Sequence, residues 1–160
     1  MKICVVGTGY VGLVTGTCFA EKGHTVCCID IDEERIGKLK KGISPIYEPG
    51  LDELIERNQR EGRLFFSTKI RDGLEGTQLC FIAVGTPPAD DGRADLAQVL
   101  AAIDDIGSEL SHSCYIVVKS TVPVGTGTLL CKRIKNHLRE RGMEKINLEI
   151  LSNPEFLKEG

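Results

Sequence analysis

Apolar residues along this chain follow two spacings. Short continuous apolar runs bounded by glycine or polar residues fit strands, and longer stretches with apolar positions three and four apart fit helices. The first run, Lys2 to Val6, opens into Gly7-Thr8-Gly9-Tyr10-Val11-Gly12. A helix follows, with Val11, Val14, Thr15, Cys18 and Phe19 on one face and Gly23 as its stop. His24 to Ile29 fits a second strand, and Asp32 is placed to cap a helix that carries Ile36 and Leu39 inward and ends at Gly42. Ile43 to Gly50, punctuated by Pro45 and Pro49, reads as a loop, and Leu51, Leu54 and Ile55 begin a helix that Gly62 ends.

Arg63 to Ser67 fits a third strand and Thr77 to Val84 a fourth, whose apolar run is that of a parallel strand covered on both faces. After a turn at Asp90-Asp91-Gly92-Arg93, Asp95 with Gln98 resembles a capping box. It opens a helix with Leu96, Val99, Ile103, Ile106 and Leu110 as its buried stripe. Cys114 to Val118 is a fifth strand, followed by a helix with Leu129, Leu130, Ile134 and Leu138 inward and Gly142 as its stop. Asn147 to Leu151 is a sixth strand. Strand-helix alternation of this kind implies right-handed crossovers and an α/β fold, a doubly wound parallel sheet of about six strands with helices on both faces.

Parallel strands bring all their C-terminal ends to one edge, where open α/β sheets bind ligands. The unusual polar segments all follow strand ends: Gly7 to Gly12, Asp30, Gly85 to Pro88, Ser120 to Gly125 and Asn153 to Glu159. They are expected to converge on one crevice. The first is G-x-G-x-x-G between strand and helix, the Rossmann-type dinucleotide fingerprint. Gly7 permits the tight turn, Gly9 admits a pyrophosphate to the backbone, and Gly12 lets the helix lie close to the strand. The helix N-terminus supplies unpaired N–H groups and positive potential. Asp30 follows about 20 residues later, where a carboxylate accepts ribose hydroxyls. It would also repel a 2′-phosphate, which favours NAD over NADP. Arg35, in the first turn of the next helix, is within reach of the adenosine side.

Composition narrows the class. In 160 residues, 41% hydrophobic and 27% charged, the chain has room for one domain with one core. A net charge of −3 gives no general attraction to nucleic acid or an anionic membrane. The seven cysteines form no C-x-x-C pair and mostly sit inside apolar patterns, so they read as buried reduced thiols of a cytoplasmic protein. His24, His112 and His137 are isolated, and no residue is assigned to a metal. Lys2 and the small apolar residues after it superficially resemble a signal peptide, but Gly7, Gly9 and Gly12 would interrupt its apolar region.

Five longer motifs are more specific than the glycine turn. They are Gly7 to Leu13, Tyr47-Glu48-Pro49-Gly50-Leu51, Val84-Gly85-Thr86-Pro87, Lys119 to Thr126, and Asn153 to Gly160. On these the whole chain resembles the N-terminal part of the UDP-glucose/GDP-mannose dehydrogenase family. The resemblance implies NAD-dependent oxidation of a nucleotide sugar at C6, from alcohol through aldehyde to carboxylate. UDP-glucose is the first expectation; GDP-mannose or another nucleotide sugar is the alternative. By resemblance, Gly7, Gly9, Tyr10, Val11 and Gly12 hold the pyrophosphate and Asp30 and Arg35 the adenosine end. Thr86 and Thr121 line the nicotinamide side, with Glu159 near both cofactor and substrate. Glu155, Phe156, Leu157, Lys158 and Glu159 border the sugar. Thr121 and Glu155 resemble the family's catalytic pair around a water, Glu155 as acid or base.

The family's nucleophilic cysteine and its partner lysine, asparagine and aspartate belong to a later domain, beyond Gly160. No cysteine here replaces it, since Cys80 lies in an apolar strand without a neighbouring base. The chain is therefore expected to be a cofactor domain, inactive alone, from a protein that forms a homodimer or larger assembly. A stand-alone dinucleotide-binding or sensing module is the reading from another class.

Overall fold

The computed structural model describes residues 1–89 and 92–155. Asp90 and Asp91 of the expected turn, and Phe156 to Glu159 of the expected sugar-binding segment, lie outside the described residues. Strands β1 (Lys2–Val6), β2 (Thr25–Ile29), β3 (Leu64–Ser67), β4 (Leu79–Ile82), β5 (Cys114–Val118) and β6 (Leu148–Ser152) form one parallel sheet in the order β3-β2-β1-β4-β5-β6. The order reverses between β1 and β4, which is the switch point of a doubly wound sheet. Helices α1 (Tyr10–Glu21), α2 (Glu33–Leu39) and α3 (Leu51–Arg60) accompany the β1 to β3 crossovers. Helices α4 (Ile70–Leu74), α5 (Ala97–Glu109) and α6 (Thr126–Glu140) accompany the β3 to β6 crossovers.

Two apolar layers follow from the period-two alternation of strand side chains. Ile3, Val5, Val26, Cys28, Leu64, Phe66 and Phe81 pack with Leu13 of α1 and Ile55 of α3 on one face. Cys4, Val6, Cys80, Ile82, Ile116 and Val118 pack with Ile103 and Ile106 of α5 and Leu130 and Ile134 of α6 on the other. Register is the same along the centre of the sheet, with Cys4 opposite both Cys27 and Cys80.

The α1 face differs from the expected one. Gly12, Leu13, Gly16, Thr17 and Ala20 are buried, whereas Cys18 is exposed and Val11, Val14, Thr15 and Phe19 are only half-buried. This helix is apolar or small nearly all round, so periodicity does not orient it. Close approach to the sheet does, because a Cβ on Gly16 would stand 2.5 Å from the sulfur of Cys28. Similarly, Leu129 on α6 points outward at 48% exposure while Leu130, Ile134 and Leu138 are buried. Helix α4 escaped the pattern altogether, since five residues containing a glycine carry no periodic signal. Strand β4 starts later than the expected Thr77 because Thr77 turns back onto α4, its N–H bonding the Leu74 carbonyl at 3.1 Å and its hydroxyl the Gly73 carbonyl at 2.6 Å, and it ends at Ile82 rather than Val84. The N-cap of α5 is Leu96, not Asp95: Asp95 lies one residue earlier and accepts from the Ala97 N–H at 2.8 Å, a local turn in place of the expected capping box.

Helices α5 and α6 are tied at their surface by Asp104. Its two carboxylate oxygens accept from Nε and Nη2 of Arg133, both at 2.6 Å, and Oδ1 also meets Nε2 of His137 at 2.9 Å. The Arg133 hydrogen bonds hold the Asp104 carboxyl at about 2, below the ordinary carboxylate range. A carboxyl depressed in the folded state contributes stability above its unfolded value near ~4, and that contribution is lost as pH falls toward the folded value. Asp104→Asn should therefore cost about 1 kcal/mol at pH 7. Thermal melts of both proteins from pH 6 to pH 2 should show the gap closing below about pH 4; a gap independent of pH would remove the ion-pair account.

Candidate functional site at the sheet switch point

The turn after β1 is built by three glycines with three different needs. Gly7 has φ +100, a left-handed conformation that other residues rarely adopt, and a Cβ there would lie 2.5 Å from the Ala83 carbonyl oxygen of the neighbouring strand end. A Cβ on Gly12 would run into the carbonyl oxygen of Gly7 and stand 3.3 Å from the Ala83 Cβ. Gly9 is unlike both: its φ of −68 and ψ of −172 suit any residue, and nothing lies within 4 Å of an added Cβ. Neither backbone strain nor internal packing requires glycine at this position. The space a side chain would fill is at the N-terminus of α1, where the first-turn N–H groups have no helical acceptor and attract an anion.

Asp30, at the end of β2, is anchored to this turn. Its Oδ2 accepts from the Thr8 N–H at 2.8 Å, the Thr8 hydroxyl at 2.7 Å and Nη1 of Arg35 at 3.3 Å; Oδ1 accepts from the Asp32 N–H at 3.1 Å. Burial raises the carboxyl's pKa, but the two Thr8 bonds, the Asp32 N–H and the Arg35 charge together outweigh it and leave Asp30 below the ordinary range. Asp32 also caps α2 through the Arg35 N–H at 2.9 Å, so the helix that carries Arg35 starts where Asp30 needs it.

A cavity of about 790 Å³ opens beside these groups, within the usual size range of small-molecule sites. Gly7, Gly9, Asp30 and Arg35 line it, as do Lys69 and Arg71 at the start of α4. Tyr10, Val11 and Gly12 are not part of the lining. Gly12 is buried under the turn, Val11 packs against the α1-side core, and the Tyr10 hydroxyl donates to Glu48 across the loop before α3.

The other predicted residues form a second group at the ends of β4, β5 and β6. Thr86 donates from Oγ1 to the Thr121 carbonyl at 3.0 Å, and Thr121 donates from its hydroxyl to the Glu155 carbonyl at 3.2 Å. Lys119, which residue-level reasoning did not single out, places Nζ 3.4 Å from both Glu155 Oε2 and Asn153 Oδ1. Ser120 donates to the Val84 carbonyl at 2.6 Å and ties the β5 end to the β4 end. Thr8, also missed, is fully buried. The signal available for both was position alone, inside motifs that follow strands.

Residues 1–160 match the NAD binding domain of the UDP-glucose/GDP-mannose dehydrogenase family. The chain belongs to that family. A UDP-glucose 6-dehydrogenase of Bacillus subtilis is 49% identical over 160 residues, covering all of this chain and 36% of that protein. A UDP-glucose 6-dehydrogenase of Pseudomonas aeruginosa is 46% identical over 160 residues, again all of this chain and 35% of the relative. Among solved structures, a UDP-glucose dehydrogenase from the archaeon Pyrobaculum islandicum superposes with a TM-score of 0.89 at 40% identity, covering 99% of this chain and 36% of that one. A GDP-mannose dehydrogenase from Pseudomonas aeruginosa superposes with a TM-score of 0.90 at 34% identity, covering 99% and 37%. The chain thus spans little more than a third of the length of these family members, and that third is the NAD-binding domain.

The glycines separate packing from binding in a way that can be measured. Gly12→Ala should destabilise the fold by roughly 1–3 kcal/mol, because the Gly7 carbonyl or α1 must shift. Gly9→Ala should leave stability within about 0.5 kcal/mol and yet weaken NAD binding. Denaturant titration paired with NAD titration tests both; normal NAD affinity in Gly9→Ala would remove the phosphate role of that position.

Proposed function

We propose that the chain is the cofactor-binding part of an NAD-dependent UDP-glucose 6-dehydrogenase, and that the cavity at the β1–β4 switch point receives the dinucleotide. The observation that carries this reading is the pairing of an open Gly9 with a carboxylate, Asp30, held against the same turn. Gly7 and Gly9 with the α1 N-terminus bind the pyrophosphate, and Asp30 and Arg35 the adenosine ribose. When bound, NAD supplies the hydride acceptor for oxidation at the sugar C6. Thr86 and Thr121 border the nicotinamide side. Glu155 acts as acid or base near the sugar, with the Thr121 hydroxyl fixing the backbone that carries it. For Phe156, Leu157, Lys158 and Glu159 the reading as sugar- and cofactor-bordering residues rests on resemblance alone.

UDP-glucose is favoured over GDP-mannose by identity, not by fold: the two solved structures superpose equally well, but the UDP-glucose enzymes are 40–49% identical and the GDP-mannose enzyme 34%. Free thiols at all seven cysteines, four of them buried, fit a reducing compartment, so we place the protein in the cytoplasm. Among the described residues no helix is long and apolar enough to cross a membrane.

NAD should bind at least about tenfold more tightly than NADP, since the 2′-phosphate would meet the Asp30 carboxylate. Equal affinities would remove the role given to Asp30. In the whole dehydrogenase, Glu155→Gln and Thr121→Ala should lower kcat more than they weaken NAD binding, by about 10²- to 10⁴-fold for the acid/base position. Normal turnover of UDP-glucose by Glu155→Gln would end its catalytic assignment.

A further inference from the structure

We propose that Thr8 is a positioning residue that locks the orientation of Asp30 and thereby sets the discrimination between NAD and NADP. The inference rests on the reading that Asp30 faces the adenosine ribose. Thr8 occupies the first variable position of the glycine turn, is 0% exposed, and gives both its backbone N–H and its hydroxyl to one oxygen, Asp30 Oδ2. With Arg35 as a third donor, Oδ2 has no accepting capacity left, whereas Oδ1 takes only the Asp32 N–H among the described bonds. Each carboxylate oxygen offers about two lone-pair sites, so the remaining capacity for a ribose hydroxyl lies on Oδ1. Rotation of the carboxyl would break both short Thr8 bonds at once.

The surroundings give this lock its significance. Arg35, Lys69 and Arg71 line the cavity, as do the acids Asp32, Asp105 and Glu109, and a cation there would welcome a phosphate wherever no carboxylate holds it. Arg35 is spoken for by Asp30 at 3.3 Å and by Asp32 at 3.8 Å. Selectivity against NADP then depends on Asp30 staying in place, both to repel the 2′-phosphate and to hold Arg35. Within the glycine turn Thr8 is the residue that donates to Asp30, and of its two donors the hydroxyl is the one a substitution can remove. Without that hydroxyl, the carboxyl turns more freely and Arg35 becomes available to a phosphate.

The test is isothermal titration of NAD and NADP into the wild-type protein and into Thr8→Val, Thr8→Ala, Thr8→Ser and Asp30→Asn. Thr8→Val and Thr8→Ala should reduce the ratio of the NADP Kd to the NAD Kd by about tenfold, through a gain in NADP affinity. Thr8→Ser, which keeps the donor, should restore the wild-type ratio. A residue that merely supports the fold would weaken both cofactors in parallel, and an unchanged ratio in both hydroxyl-free variants overturns the proposal. So does failure of both to fold, which would make Thr8 a folding residue. An altered ratio in Asp30→Asn with an unchanged one in Thr8→Val sinks the lock alone; no change in Asp30→Asn sinks the ribose assignment beneath it.

Discussion

The structure depends on one close approach, that of the first turn of α1 to the end of β1. Gly12 lies against the Gly7 carbonyl, and Gly7 in turn lies against Ala83 at the end of β4. Each step excludes even a methyl group, so helix, turn and neighbouring strand are brought together at backbone separation. This approach puts the N–H groups of the helix N-terminus at the crevice where strand order reverses. It also decides how α1 rolls on the sheet: once Gly12 and Gly16 must face the strands, Leu13, Thr17 and Ala20 are buried with them and Cys18 is left outside.

A carboxylate at the end of β2 then becomes tolerable where isolation would be costly. Asp30 is nearly buried, its side chain 11% exposed, and an unpartnered charge there would be expensive. Thr8 and Asp32 N–H groups, the Thr8 hydroxyl and the Arg35 guanidinium compensate it. The same bonds make the acid rigid and ionised, two properties that suit a recognition group. One small network thus holds the carboxylate in place, although its members come from the turn, the strand end and the start of α2.

The strand ends do not form a single uniform crevice. The cavity proper extends from the glycine turn and the ends of β2 and β4 to the start of α4 and along α5, while Thr86, Thr121, Glu155 and Lys119 make a separate hydrogen-bonded group at the ends of β4 to β6. Gly85 lines the cavity immediately before Thr86, so the two regions adjoin there.

Local chemistry in the chain was sufficient for much of this. Six apolar runs, the glycines that end helices and the Asp32 cap specify strands and helices because they act over a few residues, and the parallel order follows from their alternation. The tight turn at Gly7 and the close packing at Gly12 were legible for the same reason, as was the position of Asp30 at the end of β2. What only the tertiary structure decided involves contacts between segments distant in sequence. The buried face of α1 was hidden because an almost wholly apolar helix has no polar side to mark solvent, and α4 because five residues hold too little periodicity. Thr8 and Lys119 carry no signal of their own: a hydroxyl becomes a lock, and an amine the partner of Glu155, only when folding brings an acid to within hydrogen-bonding or ion-pair distance.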